Sequence, residues 1–205
     1  MKIINNILIG SILFLNITST LAQTDKVVAA FSKSYTEEKN ADYVGAIMTI
    51  KEVYDAKSYE LNLRLGWLYY EVGQNKESMS FYQLAMNLMP NSIEAKLAYV
   101  YPAAALGNMD QVVAQYKKIL EIDPQNTTAN YKMGMIYYYK KDYPAATTYF
   151  EKVVTIYPFG YDTLLMYAWT NFQLGKTNEA KVLFNKVLML SPNDTSALEG
   201  LALIK

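Results

Sequence analysis

Residues 134–150 read GMIYYYKKDYPAATTYF, and residues 66–82 read GWLYYEVGQNKESMSFY. Both stretches open on a glycine, carry a tyrosine three residues on (Tyr69, Tyr137) and close on a ring (Tyr82, Phe150). Rings this large are buried in a core or used on a ligand. The spacing says which kind of chain supplies them. Pro90, Pro124, Pro158 and Pro192 stand at intervals of 34 residues. Gly66 and Gly134 are two such intervals apart, Trp67 and Trp169 three, and Ala146 and Ala180, like Phe150 and Phe184, one. A fixed period of this size is the mark of an array in which each unit buries its apolar face against the next.

Each period holds two helical patterns. Over 60–72, Leu65, Gly66 and Tyr69 fall on one face, and Gly73 closes the helix in the left-handed conformation that glycine adopts freely. Over 76–89, Phe81, Tyr82, Ala85 and Leu88 form one stripe, and Pro90 stops the helix. The plan recurs at 93–124, 127–158 and 161–192, with turns short enough to make neighbouring helices antiparallel.

These residues resemble the tetratricopeptide repeat: a Leu-Gly pair, a Tyr three residues after the Gly, Ala-x-x-x-Phe/Tyr, then Pro. Leu65-Gly66, Tyr69, Tyr82, Ala85 and Pro90 carry the pattern. So do Met133-Gly134, Tyr137, Ala146, Phe150 and Pro158, and then Gly175, Ala180, Phe184 and Pro192. The resemblance implies an all-α fold, a right-handed α-solenoid of antiparallel helix pairs. Repeats are expected at 59–92, 93–126, 127–160 and 161–194. A degenerate repeat at 25–58 precedes them, and a capping helix at 195–205 follows. The departures are local. Ala46 and Ile50 fill the Ala-x-x-x-Phe slots of the first repeat, but no proline ends it. Tyr99-Val100 replaces Leu-Gly in the third repeat, where Pro102 falls inside the first helix. Ala168 and Asn171 replace Gly and Tyr in the fifth.

Tyr69, Tyr82, Tyr116, Tyr137 and Phe150 occupy slots that pair the two helices of a repeat, so they are expected in the core. A second set lies elsewhere on the first helices. The resemblance implies that these helices line a concave groove that binds partners. The groove is then expected to be lined by Leu63, Trp67, Tyr70, Tyr101, Ala104, Tyr131, Met135, Tyr138, Tyr139, Trp169 and Phe172. Packing against the next repeat is the competing use for the same rings. The Lys, Asn and Arg clamp with which some members of the family hold a terminal carboxylate is missing from that face.

Composition narrows the function further. Apolar residues make up 52% of the 205 and charged residues 19%, the balance of an ordered chain. Lysine plus arginine equals aspartate plus glutamate, and Arg64 is the only arginine. Phosphate and base-edge recognition rests on clustered cations and arginine forks, so nucleic acid is not an expected partner. There is no histidine and no cysteine, which removes imidazole bases, thiol nucleophiles, disulfides and the usual zinc ligands. Glu37 and Glu38 are adjacent on a helix and point different ways, so they do not share a site. No nucleophile stands with a base and an orienting group. The expectation is a protein that is not an enzyme and has no cofactor or metal.

The first residues read as an address. MKIINNILIGSILFLNITSTLAQ has one early cation, an apolar run from Ile7 to Ile17, and Thr20-Leu21-Ala22 as a cleavage signal. Residues 1–22 are expected to be a signal peptide, with a retained N-terminal anchor as the alternative. The remaining chain, 23–205, would be exported to the periplasm or secreted, with no stable membrane insertion after cleavage. The expected function is a non-catalytic protein–protein interaction scaffold of the cell envelope that takes a protein or extended peptide in the aromatic groove. The alternative is a receptor for a glycan or an apolar small ligand. At the C-terminus, the stripe Leu198, Leu201 and Ala202 is expected to cover the fifth repeat. Leu203 and Ile204 would then stay near the surface and support weak self-association.

Overall fold

The computed structural model describes residues 24–204; the expected signal peptide at 1–22 lies outside the described residues. The chain divides into two compact units, one ending at Asn108 and the other beginning at Met109. All regular structure among the described residues is α-helical.

The first unit contains α1 (24–39), α2 (Tyr43–Lys51), α3 (Tyr59–Glu71), α4 (Asn75–Leu88) and α5 (Ile93–Ala105). Leu61, Leu65, Leu68 and Tyr69 of α3 form one core with Ala30 of α1 and Ala46, Ile47 and Ile50 of α2. Ala46 and Ile50 are both fully buried in that core. Between α3 and α4, Gly66 lets the ring of Tyr82 lie on the helix backbone. A Cβ on Gly66 would stand 2.6 Å from that ring, far inside van der Waals contact. Ser78 is also buried here, and its hydroxyl donates to the Gly66 carbonyl at 2.7 Å. Helix α5 continues through Pro102, which is itself buried, while Ala104 and Ala105 are exposed.

The second unit contains α6 (Met109–Ile122), α7 (Thr127–Tyr139), α8 (Tyr143–Ile156), α9 (Tyr161–Gln173), α10 (Thr177–Leu190) and α11 (Thr195–Leu203). The Gly66–Tyr82 device recurs two helix pairs later: Gly134 meets the ring of Phe150, which is fully buried. Burying such a side chain contributes about 1.5–3 kcal/mol. Tyr116 is buried as expected from its slot, whereas Tyr137 is half-buried and stacks on Tyr149 with ring centres 5.4 Å apart.

Two turn devices repeat with the sequence period. After each first helix the chain turns through a left-handed residue: Gly73, Gly107 and Gly175 at φ +72 to +74°, but Ala41 at 61° and Lys141 at 62°. The N–H groups that follow close the helix end in the same way each time, as in Gly73 to Tyr70 and Gln74 to Tyr69, both at 2.9 Å. Before three of the first helices, α3, α5 and α7, the side chain at the fourth position binds back to the preceding turn. Asn62 donates to the carbonyls of Ala56 and Ser58, Asn130 to those of Pro124 and Asn126, and Lys96 to those of Pro90 and Ser92. These buried polar residues had no role in the sequence reading.

The C-terminal helix corrects one expectation. Ala197 and Gly200 are buried, and Leu201 and Ile204 pack on the core of Leu164, Ala168, Phe184 and Val187. The seating stripe is therefore Ala197, Gly200, Leu201 and Ile204. It is set by the ring of Phe184, which lies against Gly200. Ile204 is not a free surface residue; Leu198 and Leu203, each about half exposed, are.

Candidate binding surface

In the first unit, helices α1, α3 and α5 share a surface. The anchor is Arg64, only 6% exposed. Its Nε and Nη2 donate to Ser34 Oγ at 3.0 and 2.8 Å, and its Nη1 reaches Glu38 Oε2 at 2.5 Å. The guanidinium lies 4.0 Å from the centre of the Tyr35 ring. A planar fork that satisfies two partners and stacks on a ring is a task lysine cannot perform. The other oxygen of Glu38 accepts the indole N–H of Trp67 at 2.6 Å. Glu37 faces away, taking the Thr49 hydroxyl at 3.1 Å and Lys33 at 3.5 Å, so the two adjacent carboxylates do serve different places.

Beside this network opens a cleft of about 450 Å³. Phe31, Tyr35, Leu63 and Trp67 supply its apolar walls; Glu60 and Glu94 join Glu38 as its acids. Tyr59 stands between them, its hydroxyl 2.8 Å from Ser92 Oγ and 3.0 Å from Glu94 Oε2. Burial is the main cause that raises the Tyr59 phenol above its ordinary pKa. From Trp67 a run of rings continues to Tyr70 (6.1 Å between centres) and on to Tyr101 of α5 (6.0 Å). Trp67 is 39% exposed and Tyr101 60%. The structure thus brings Leu63, Trp67, Tyr70 and Tyr101 onto one surface, with Ala104 exposed on α5.

The second unit places its residues differently. Tyr138 packs edge-on against Tyr139 and Tyr143, and Tyr139 is 72% exposed. Tyr131 packs on Phe150, and Met135 is half-buried. Trp169 belongs to the packing: its ring meets buried Phe184 at 5.1 Å and Phe172 at 5.6 Å, and its N–H donates to Ser196 of α11 at 2.9 Å. The two tryptophans share a repeat column but not an environment. A second, smaller cleft of about 290 Å³ is lined by Tyr131, Tyr157 and Tyr161 together with Thr127, Thr128 and Asp162.

Phe31, Tyr35, Glu38, Arg64 and Glu94 were not among the residues expected from the sequence. A signal existed: Phe31, Tyr35 and Glu38 recur at steps of four and three on one helix face, opposite the chain's only arginine.

Comparison with known proteins bears on what this surface belongs to. Family models described as tetratricopeptide repeat match residues 59–92, 128–159 and 161–194. These are the helix pairs α3–α4, α7–α8 and α9–α10, the pairs in which the small residue, the ring and the terminal proline recur. The chain belongs to the tetratricopeptide repeat family. A tetratricopeptide repeat protein of Parabacteroides merdae has the same fold. It is 22% identical, with a TM-score of 0.74 over 87% of this chain and 72% of that one. The MamA protein is similar at a TM-score of 0.69 and 20% identity, over 81% of this chain and 92% of that one. Human anaphase-promoting complex subunit 7 is 25% identical over 91% of this chain. This tetratricopeptide repeat chain spans about a third of the length of that curated relative.

Among the described residues of the chain, no helix is long and apolar enough to cross a membrane, and no cluster of acidic side chains is arranged to hold a metal.

Proposed function

We propose that the protein is a non-catalytic protein–protein interaction scaffold of the cell envelope, exported by its N-terminal segment. Its first-helix surface would take a protein or an extended peptide. The observation that carries this reading is the run of rings Trp67–Tyr70–Tyr101, exposed at both ends and half-buried at Tyr70, beside an open cleft. Exposed aromatic patches of this kind are characteristic of interaction sites. A relative that is a subunit of a multiprotein complex agrees with it. Crosslinking from a photoreactive residue placed at Tyr101 in cells, followed by mass spectrometry, tests the reading. A discrete protein partner supports it, and no crosslink above that from an exposed control position such as Lys181 counts against it.

The cleft of Tyr131, Tyr157 and Tyr161, with threonine hydroxyls and Asp162 beside the rings, favours a second reading for the second unit: a glycan stacked on tyrosine. A glycan array separates the two, because only the second reading expects a positive spot lost in Tyr157→Ala.

A further inference from the structure

Resting on the reading of the first-helix surface as a peptide site, we propose that the cleft of α1, α3 and α5 selects a cationic segment. The favoured ligand presents a lysine or arginine side chain flanked by apolar residues.

The charge arrangement carries this. Three carboxylates and one guanidinium line the cleft. The guanidinium is spent: Arg64 is buried, and its charge is answered within the protein by Glu38. An arriving anion finds no cation to meet, because Arg64 lies behind the Tyr35 ring with its donors on Ser34 and Glu38. Glu60 and Glu94 are different. Both are exposed, and neither forms an ion pair among the described residues. Each has an oxygen held by a neutral hydroxyl, Glu60 by Ser58 at 2.9 Å and Glu94 by Tyr59 at 3.0 Å. Those bonds orient the carboxylates without neutralising them. The cleft therefore carries two uncompensated negative charges.

The walls suit the same ligand. Trp67 and Tyr35 are both partly exposed, and a ring face attracts a cation while accepting its methylene stem. Phe31 and Leu63 offer contact to apolar flanking residues. A carboxylate-bearing segment would instead meet like charge, which costs affinity and sets specificity.

The test uses three fluorescent octapeptides, GLKFLKLG and the same peptide with both lysines replaced by glutamine or by glutamate, titrated with the full protein and read by anisotropy. The lysine peptide should bind at least about tenfold tighter than the glutamate peptide at low salt, and the gap should shrink strongly at about 0.5 M salt, where exposed charges are screened. Glu60→Gln with Glu94→Gln should remove most of the preference while leaving the circular dichroism spectrum unchanged. Trp67→Ala, checked the same way for folding, should weaken all three peptides. Equal binding of the three, all weakened in Trp67→Ala, overturns charge selection and leaves the peptide site standing. No binding by any peptide, or binding indifferent to Trp67→Ala in a folded protein, overturns both.

Discussion

Arg64 donates to Glu38 at 2.5 Å across a gap of 26 residues in sequence. The pair ties the third helix to the first. Its carboxylate is partly exposed while its guanidinium is not, so the contact ranks above a surface ion pair and below a fully buried one. Arg64→Ala leaves Ser34 Oγ without its donors, Glu38 with only the Trp67 N–H, and the Tyr35 ring without the guanidinium on its face. It should lower stability by about 2 kcal/mol or more in urea denaturation. Arg64→Lys should recover little of that, because an ammonium cannot reproduce the fork.

The two tryptophans should respond unequally to truncation. Trp169→Ala opens a hole beside Phe184 and should cost about 3 kcal/mol or more. Trp67→Ala removes a partly exposed ring and one hydrogen bond, and should cost about 1–2 kcal/mol. Thermal melts of both variants check the order; equal losses would contradict the difference in their surroundings.

Ala41 and Lys141 stand where three sister turns have glycine, at φ 61° and 62°. A side chain in this region is strained by about 1–2 kcal/mol, of which the greater freedom of unfolded glycine offsets part. Lys141→Gly and Ala41→Gly should each raise stability by about 0.5–1 kcal/mol. Gly73→Ala should lower it, although no atom lies near a Cβ there. Denaturation midpoints give the answer directly.

Alkali should unfold the protein through its buried phenols. Burial raises the pKa of Tyr82, with help from Glu71 and Tyr70. Burial also pushes Tyr167 up to about 12, aided by its hydrogen bond to Glu151. A raised pKa means the folded state keeps a proton that the unfolded chain releases. That stability is complete below about pH 10, the ordinary tyrosine value, and is lost as pH climbs through the folded values. Melting temperature should therefore fall steeply above about pH 10. Tyr82→Phe should flatten that fall relative to its own stability at pH 8; an unchanged slope would assign the effect elsewhere.

The helix pairs were legible because their markers are local. A proline stops one helix, a left-handed glycine stops the other, and Gly66 and Tyr82 sit at a fixed offset that Gly134 and Phe150 repeat. The cleft was not legible, because Ser34, Glu38 and Arg64 meet only after α1 folds onto α3, and no short-range pattern pairs them. Trp67 and Trp169 looked equivalent because a column reports which face a residue occupies. What that face meets depends on the next helix over, Glu38 for one and Ser196 for the other. Ile204 was misplaced because the seat of α11 is made by small residues, Ala197 and Gly200, which an apolar stripe undervalues.

The side-chain ties at Asn62, Lys96 and Asn130 make each of their helices the keeper of the turn before it, so that turn resists a protease as long as the helix stands. Helix α9 has no such keeper: Leu164 occupies the tying position, and Gly160 caps the helix without a side chain. The turn there reads Tyr157-Pro158-Phe159-Gly160, with Tyr157 and Phe159 more than half exposed. Phe159, an exposed chymotrypsin site in an untied turn, is where the folded protein should first be nicked. The same turn is where a linker or a tag can be inserted with least disturbance to the helix pairs on either side.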